Sequence, residues 1–156
     1  MFLNLFKLLH LMESRLILEN ELEPIFLGKF PPFPDNVKEF LVQYGPYLIL
    51  VGAILGLLGL LAAFGVGTAA IGIGLASYGG GFSFYVGVLL ATIMMIIYLM
   101  AFSPLRARKR AGWNLMYYAL LLSLISNLLQ LAILSAIIGG VIGFWVLFQI
   151  RDKYVL

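Results

Sequence analysis

Two long runs of the chain carry no charged side chain. No Asp, Glu, Lys or Arg occurs between Glu39 and Arg106, and none occurs between Arg110 and Arg151. A helix that crosses the hydrocarbon core of a membrane needs about 20 apolar residues. The first run therefore has room for two such helices and a connection, and the second has room for two helices joined by a tight turn.

This pattern predicts an all-α fold with four transmembrane helices in a compact bundle within residues 37–156. The expected spans lie at about residues 47–65, 82–102, 113–131 and 133–150. The third and fourth form a helical hairpin with its turn near residues 131–134. The connection at residues 66–81 is uncharged and Gly-rich, and it fits a flexible outer loop, a short amphipathic piece or a re-entrant segment.

Residues 1–18 show a helical period with a narrow polar face. Asn4, Lys7 and Ser14 share one side of the helix, and apolar residues such as Phe2 and Leu9 share the other. A helix of this kind is typical of a segment that lies in the membrane interface or against a partner's apolar surface. A fifth span is the alternative, which the charged residues in the segment disfavour.

Residues 19–36 are predicted to be an acidic and Pro-rich linker. Glu19, Glu21 and Glu23 are followed by the sequence FPPFP at residues 30–34. Proline removes a backbone donor and fixes the backbone, so FPPFP indicates an extended conformation. The acidic residues are expected to be solvated, because their spacing lacks the glycine turn and the ordered ligands of a calcium loop.

The transmembrane domain is expected to begin with a short helix at residues 37–44. Asp35 or Asn36 is a candidate N-cap, and Asn36 with Glu39 resembles a capping box. Gly45 and Pro46 follow this helix, and the pair is expected to break or kink the chain before the first span.

Composition supports the membrane interpretation. Hydrophobic residues make up 63% of the chain and charged residues 11%, whereas about a quarter of a soluble domain is charged. The net charge of +3 is concentrated in one loop, so orientation in a membrane explains it better than a nucleic-acid partner does. The absence of cysteine excludes disulfides, thiolate metal sites and thiol catalysis.

The concentrated positive charge predicts the orientation of the bundle. Arg106, Arg108, Lys109 and Arg110 lie within five positions, and Trp113 follows them. Positive residues in short loops stay on the cytoplasmic side of a membrane. We therefore expect these residues to anchor the topology of a multi-pass protein of the cell inner membrane, with both termini in the cytoplasm.

Aromatic residues are expected at the membrane interfaces, because amphipathic rings prefer that depth. Trp113, Tyr117, Trp145 and Phe148 are predicted to lie near the cytoplasmic interface, and Tyr85 near the outer one.

Small residues recur at helical spacing in every predicted span, and we expect them to form the helix-packing faces. These residues are Gly52, Gly56, Gly59, Gly87, Ala91, Ser123, Ser135, Gly139 and Gly143. Small residues let helix backbones approach closely in lipid. Packing within the chain is the first interpretation, and a pore or a groove for a partner helix is the alternative.

Ionisable chemistry is missing from the predicted spans, which contain no acid or base apart from tyrosine. Proton relays and coupled carriers commonly place such residues inside the bundle. His10, the single histidine, fits an exposed interfacial position better than a cofactor ligand. The sequence predicts no catalytic, cofactor-binding or metal-binding residues, so we expect a protein that is not an enzyme.

Two patches carry a resemblance. Lys109-Arg110-Ala111-Gly112-Trp113 and the closing segment from Phe148 to Tyr154 resemble small bacterial membrane proteins of unknown function. Those proteins have a KRxGW loop and an LFQIRxxY C-terminus. The similarity covers residues 46–154 and implies a four-helix membrane protein, without implying an activity.

These patterns favour a structural or accessory subunit of a larger membrane complex, acting through helix packing and its N-terminal arm. Its expected partners are the lipid bilayer and other membrane protein subunits, or further copies of itself. The alternative function is an oligomeric passive channel or a small-solute transporter.

Overall fold

The computed structural model describes residues 1–4, 16–72 and 82–154, and these residues contain no β-strand. The all-α prediction is confirmed. The helices are α1 (Glu19–Gly28), α2 (Asp35–Gly72), α3 (Phe82–Arg106), α4 (Arg110–Leu129) and α5 (Ile133–Gln149), followed by a 3₁₀ turn at Arg151–Lys153. Much of the predicted amphipathic helix (residues 5–15) and of the Gly-rich connection (residues 73–81) lies outside the described residues.

Four of these helices are long and apolar enough to cross a membrane, as predicted. The candidate spans are Asp35–Gly65, Phe84–Arg106, Arg110–Leu129 and Ile133–Lys153. The extensive helix contacts of the described chain follow sequence order, since α2 packs on α3, α3 on α4 and α4 on α5. Helix α1 packs on α5. The seam between α2 and α5 is therefore the open side of the bundle.

A break or kink was predicted at Gly45 and Pro46, and the break is wrong, because α2 runs without interruption through both residues. Proline inside a helix removes one backbone hydrogen bond. Neighbouring helices often offset this loss in membrane helices. Pro46 is fully buried and Val42, one turn earlier, is 2% exposed, so packing at this level holds the helix together. The chain enters α2 directly from Pro34, whose carbonyl accepts hydrogen bonds from the N–H groups of Val37 and Lys38.

The connection between α3 and α4 is a tight turn at residues 107–109. Arg108 has a φ of 55°. The N–H of Lys109 donates to the carbonyl of Pro104 at 2.8 Å. A Cβ atom added at Gly112 would lie 2.6 Å from the backbone nitrogen of Leu105. Glycine is therefore required where the first turn of α4 crosses the last turn of α3.

The connection between α4 and α5 is equally short. Leu131 has a φ of 58°, and the N–H of Ala132 donates to the carbonyl of Asn127 at 2.8 Å. The two helices therefore form an antiparallel hairpin at the position predicted from the charge-free run.

The buried core lies at one end of the bundle. We call this end, which includes the turn at residues 107–109 and the segment 150–154, the basic end. Trp113 and Tyr117 have no exposed surface and Phe148 is 1% exposed. Their rings pack against one another, and the Trp113 N–H donates to the carbonyl of Leu147 at 2.8 Å, so these aromatic residues form the core of the basic end. Leucine and isoleucine towards the opposite end are largely exposed, as suits helices whose sides face lipid.

Replacing Gly112 with alanine tests the close crossing of α3 and α4. The added methyl group meets backbone atoms, which cannot rotate away, so Gly112→Ala should destabilise the fold by about 1–3 kcal/mol. Gly139→Ala is the matched control, because nothing lies within 4 Å of its added Cβ. Unfolding in mixed detergent–SDS micelles measures both, and equal midpoints for the two variants would contradict the assigned role of Gly112.

Candidate functional site

The two patches that carry the sequence resemblance lie against each other at the basic end. The Trp113 ring meets the Phe148 ring edge to face at 5.6 Å between centroids. The guanidinium of Arg110 lies 4.2 Å from the centroid of the Trp113 ring, and that of Arg151 lies 5.8 Å from it. A cation over an indole face is attracted by the ring quadrupole. The start of α4 and the end of α5 therefore form one packed unit.

A buried carboxylate lies beside this unit. Glu19 has no exposed surface, and its Oε1 accepts from Arg110 Nη2 at 2.6 Å and lies 3.1 Å from Arg151 Nη2. Its Oε2 accepts from the N–H of Leu16 at 2.8 Å. A carboxylate without water is costly unless it is paired and hydrogen-bonded. The two arginines meet that requirement.

The prediction of a solvated acidic linker is therefore wrong at Glu19, and residues 19–28 form α1 instead. Glu19 and Glu21 lie in the first turn of α1, where the positive end of the helix dipole stabilises negative charge. Arg151 also pairs with Glu23 at 2.9 Å, one turn further along α1. Glu19 and Glu23, which were expected to be solvated, thus pair with arginines of the same chain.

We call residues 16–34 the arm, and polar side chains of α4 and α5 hold its backbone. The Tyr117 hydroxyl donates to the carbonyl of Ile17 at 2.5 Å. The Trp145 N–H donates to the carbonyl of Pro31 at 3.2 Å. Because these donors serve backbone carbonyls, they fix the path of the arm along the bundle.

Gln149 receives the Pro-rich part of the arm. It is 3% exposed, its Oε1 accepts from the N–H of Phe33 at 3.1 Å, and its Nε2 donates to the carbonyl of Phe26 at 3.4 Å. Phe33 has the single backbone N–H in the run Pro31–Pro34. Gln149 therefore satisfies the one donor that the prolines leave.

Aromatic rings fill the interface between the arm and α5. The Phe26 ring is 4° from parallel to the Phe148 ring, with centroids 6.0 Å apart, and lies 5.2 Å from Phe30. The Trp145 ring meets Phe33 at 4.9 Å. Aromatic pairs at such distances contribute about 0.5–1.5 kcal/mol beyond the area they bury. The Phe residues of FPPFP thus act as anchors for an otherwise extended segment.

A second group of ion pairs joins the start of α2 to the basic loop and to the C-terminal segment. Glu39 accepts from both terminal nitrogens of Arg108, at 3.2 and 2.7 Å, and lies 3.3 Å from Lys153. The hydrogen bond to Glu39 raises the pKa of Arg108. Lys38 pairs with Asp152 at 3.5 Å. These pairs are partly exposed, so each contributes little alone, and the two-pronged Arg108 pair has the best geometry.

The predicted topology anchors therefore have partners within the protein. Arg108 and Arg110 bind carboxylates, and the Arg106 guanidinium lies 6.0 Å from the Tyr47 ring centroid. Lys109 forms no ion pair with the residues that the structure describes. Sequence reasoning missed this network, although a signal was present: Glu19, Glu21, Glu23 and Glu39 were expected on the same membrane side as the basic loop.

The predicted helix-packing residues fall into three groups. A Cβ added at Gly52, Gly56, Gly59, Gly87 or Gly139 would meet nothing within 4 Å, whereas one at Gly143 would lie 2.7 Å from Leu120 Cδ2. Ser123 is half-buried and Ser135 is exposed. Gly143 is thus a close contact between α4 and α5, and the other glycines lie where the described chain leaves space.

Four of the predicted residues line one open cavity of about 350 Å³ between α2 and α3. They are Gly56 and Gly59 on α2 and Gly87 and Ala91 on α3. Gln130, at the end of α4, completes the wall. The structure therefore gathers small residues from two spans around a shared space and does not bring Gly52 or Gly139 to it.

Residues 16–72 and 82–154 contain no group of three or more acidic or histidine side chains placed to hold a metal ion. His10 lies outside the described residues.

Comparison of the chain with protein-family models, with curated proteins and with solved structures found no match.

Neutralising Glu19 tests the buried ion pairs. Glu19→Gln leaves two arginines facing each other without their shared carboxylate, and we expect a loss of about 3 kcal/mol, at the low end for a broken buried pair because both guanidinium groups keep some contact with water. Unfolding in detergent–SDS micelles measures the loss, and faster tryptic cleavage after Lys29 should accompany it.

Glu21→Gln is the control, because Glu21 lies two residues after Glu19 on the same helix and is exposed. If the two variants unfold alike and are cleaved alike, Glu19 does not hold the arm.

Proposed function

We propose that the protein is a structural or accessory subunit of a larger membrane complex, and that it associates through the cavity between α2 and α3. The observation that carries the proposal is the cavity of about 350 Å³ whose walls include Gly56, Gly59, Gly87 and Ala91. Because apolar surface gains nothing by leaving lipid for another helix, helices associate in a membrane through close backbone approach at small residues. A partner helix can approach most closely at this cavity.

The arm has a smaller part in this proposal than the sequence indicated. Its aromatic side chains and backbone groups bind the protein's own α5, and Glu19 is buried there. A partner would have to displace these contacts to use the same surface. The surface between α2 and α3 needs no such rearrangement.

The proposal includes an orientation with the basic end in the cytoplasm of a bacterial cell, in the inner membrane. Six basic residues support it: Arg106, Arg108, Lys109, Arg110, Arg151 and Lys153. The turn between α4 and α5, at the opposite end, contains no charged residue. Moving cations across the bilayer is costly, so the end that contains them stays behind.

Single cysteines test the orientation directly, since the chain has none of its own. Lys109→Cys should react with an impermeant maleimide only after the cells are permeabilised. Leu131→Cys, which replaces a residue 82% exposed in the opposite turn, should react in intact cells. The reverse labelling pattern would contradict the proposed orientation.

A larger side chain in the cavity tests the association surface. Gly59→Leu fills the space between α2 and α3, and we expect the association constant to fall roughly tenfold, the scale of one close helix contact in lipid. The measurement is the size of the tagged protein extracted in mild detergent, by native electrophoresis. Wild type should migrate in a complex and the variant mainly as a monomer.

Leu61→Phe is the matched control for this change. Leu61 is 59% exposed and lies on the opposite side of α2, two residues from Gly59. The control should keep the large species. A wild-type protein that migrates as a monomer would contradict the proposed function.

A further inference from the structure

Two cavities adjoin at the basic end and differ in character. The first is a slot of about 340 Å³ on the open side of the bundle, between α2 and α5. Leu41, Gly45 and Ile49 line it from α2, and Ile142, Val146 and Ile150 line it from the α5 side. Its floor is formed by Met116 and Leu120 of α4. The slot is apolar along its length and opens towards the side of the bundle that would face lipid.

The second cavity is polar, with a volume of about 440 Å³. Lys38, Arg110 and Arg151 contribute positive charge to its lining, and Glu23 and Asp152 contribute negative charge. Tyr154 lines both cavities. An apolar slot and a charged chamber therefore share one wall.

Tyr154 is the polar residue that the two cavities share. It is 3% exposed, and because the described residues leave no buried side-chain oxygen or nitrogen without a hydrogen-bond partner, its hydroxyl is not an orphaned donor. Burial raises the pKa of Tyr154 to about 12, and the charge of Arg108 acts on it in the opposite direction. The hydroxyl is therefore a neutral donor at ordinary pH, near a guanidinium group. Such a donor can bind a phosphate oxygen placed in the polar cavity that Tyr154 lines.

The charge around the junction favours an anion. The ion-pair network of the described residues contains five cations and four carboxylates, because Glu19 and Glu39 each serve two cations while Arg151 also binds Glu23. The formal charge of these nine groups is therefore +1. Lys109, in the adjoining loop, adds another positive charge. Arginine and lysine are the side chains that bind phosphate in proteins.

We propose that this pair of cavities binds one anionic phospholipid, with an acyl chain in the slot and the phosphate beside the Tyr154 hydroxyl and the surplus positive charge. A slot without a filling group loses dispersion contacts along its walls. An acyl chain restores these contacts. The walls of the slot are mostly Leu, Ile and Val side chains, which keep the backbone of another helix at a distance, unlike the small residues between α2 and α3. Tyr154 lines both cavities, so a lipid with an acyl chain in the slot can place its phosphate in the polar cavity.

Native mass spectrometry of the intact protein in detergent micelles tests the site, with dioleoyl phosphatidylglycerol and dioleoyl phosphatidylcholine as probes. Wild type should retain one phosphatidylglycerol and bind it several-fold more tightly than phosphatidylcholine, because the headgroups differ in net charge. Tyr154→Phe keeps the ring and removes the donor, and it should weaken phosphatidylglycerol binding about tenfold.

Two enlarged side chains from opposite walls test the slot. Gly45→Leu places a side chain where nothing lies within 4 Å, and Ile142→Trp enlarges a residue that is 54% exposed. Each should reduce lipid retention at least tenfold. Gly139→Leu, on α5 but in neither cavity, should retain lipid as wild type does.

Circular dichroism confirms that each variant keeps its helix content, and the two walls give independent variants if one does not fold. Retention of phosphatidylglycerol by a folded slot variant at the wild-type level would overturn the proposal. Equal retention of both lipids by wild type would overturn it as well, since the headgroup would then play no part.

Discussion

The cost of placing one carboxylate out of water organises the basic end of this protein. Glu19 has no exposed surface, and without Arg110 and Arg151 its charge would be strongly destabilising. These arginines belong to the start of α4 and to the segment after α5. A single side chain of the arm therefore ties together two parts of the bundle that are about 40 residues apart in sequence. The hydrogen bonds of Gln149 and Tyr117 to the arm add to that tie.

The two ends of the bundle differ in how their apolar side chains are buried. At the basic end aromatic rings pack in a dry core, where Trp113 and Tyr117 have no exposed surface. Towards the opposite end the helices separate around glycine and expose leucine and isoleucine. In water such exposure would be unfavourable, whereas in lipid it costs little because the hydrocarbon is as apolar as the side chains. Specific contacts are thus concentrated at the end of the bundle that contains the charged residues.

The number and order of the spans could be predicted from sequence, because the length of a charge-free run is read directly along the chain and does not depend on tertiary contacts. Glycine at position 112 could be noticed but not explained, since its reason is the backbone of Leu105 crossing at the first turn of α4. The continuous α2 was missed for a similar reason. Pro46 is tolerated through burial against other helices, and a local pattern contains no information about burial.

The misassignment of the acidic segment has the same origin. Glu19, Glu21 and Glu23 are alike as a pattern, yet the first is buried, the second exposed and the third paired with Arg151. What separates them is the direction each side chain takes from α1, which depends on where α1 lies on α5. The small residues divide in the same way, with Gly143 in contact with Leu120 and Gly59 beside open space.

Helix α5 lies between the arm and the slot. Phe144, Phe148 and Gln149 face the arm, while Val146 and Ile150 lie on the other side of the helix and line the slot. Beyond α5, Arg151 binds Glu19 of the arm and lines the polar cavity, and Tyr154 follows within one turn. Release of the arm would free two guanidinium groups and raise the positive charge of that cavity. Because affinity for an anion rises with uncompensated positive charge, release of the arm should strengthen headgroup binding.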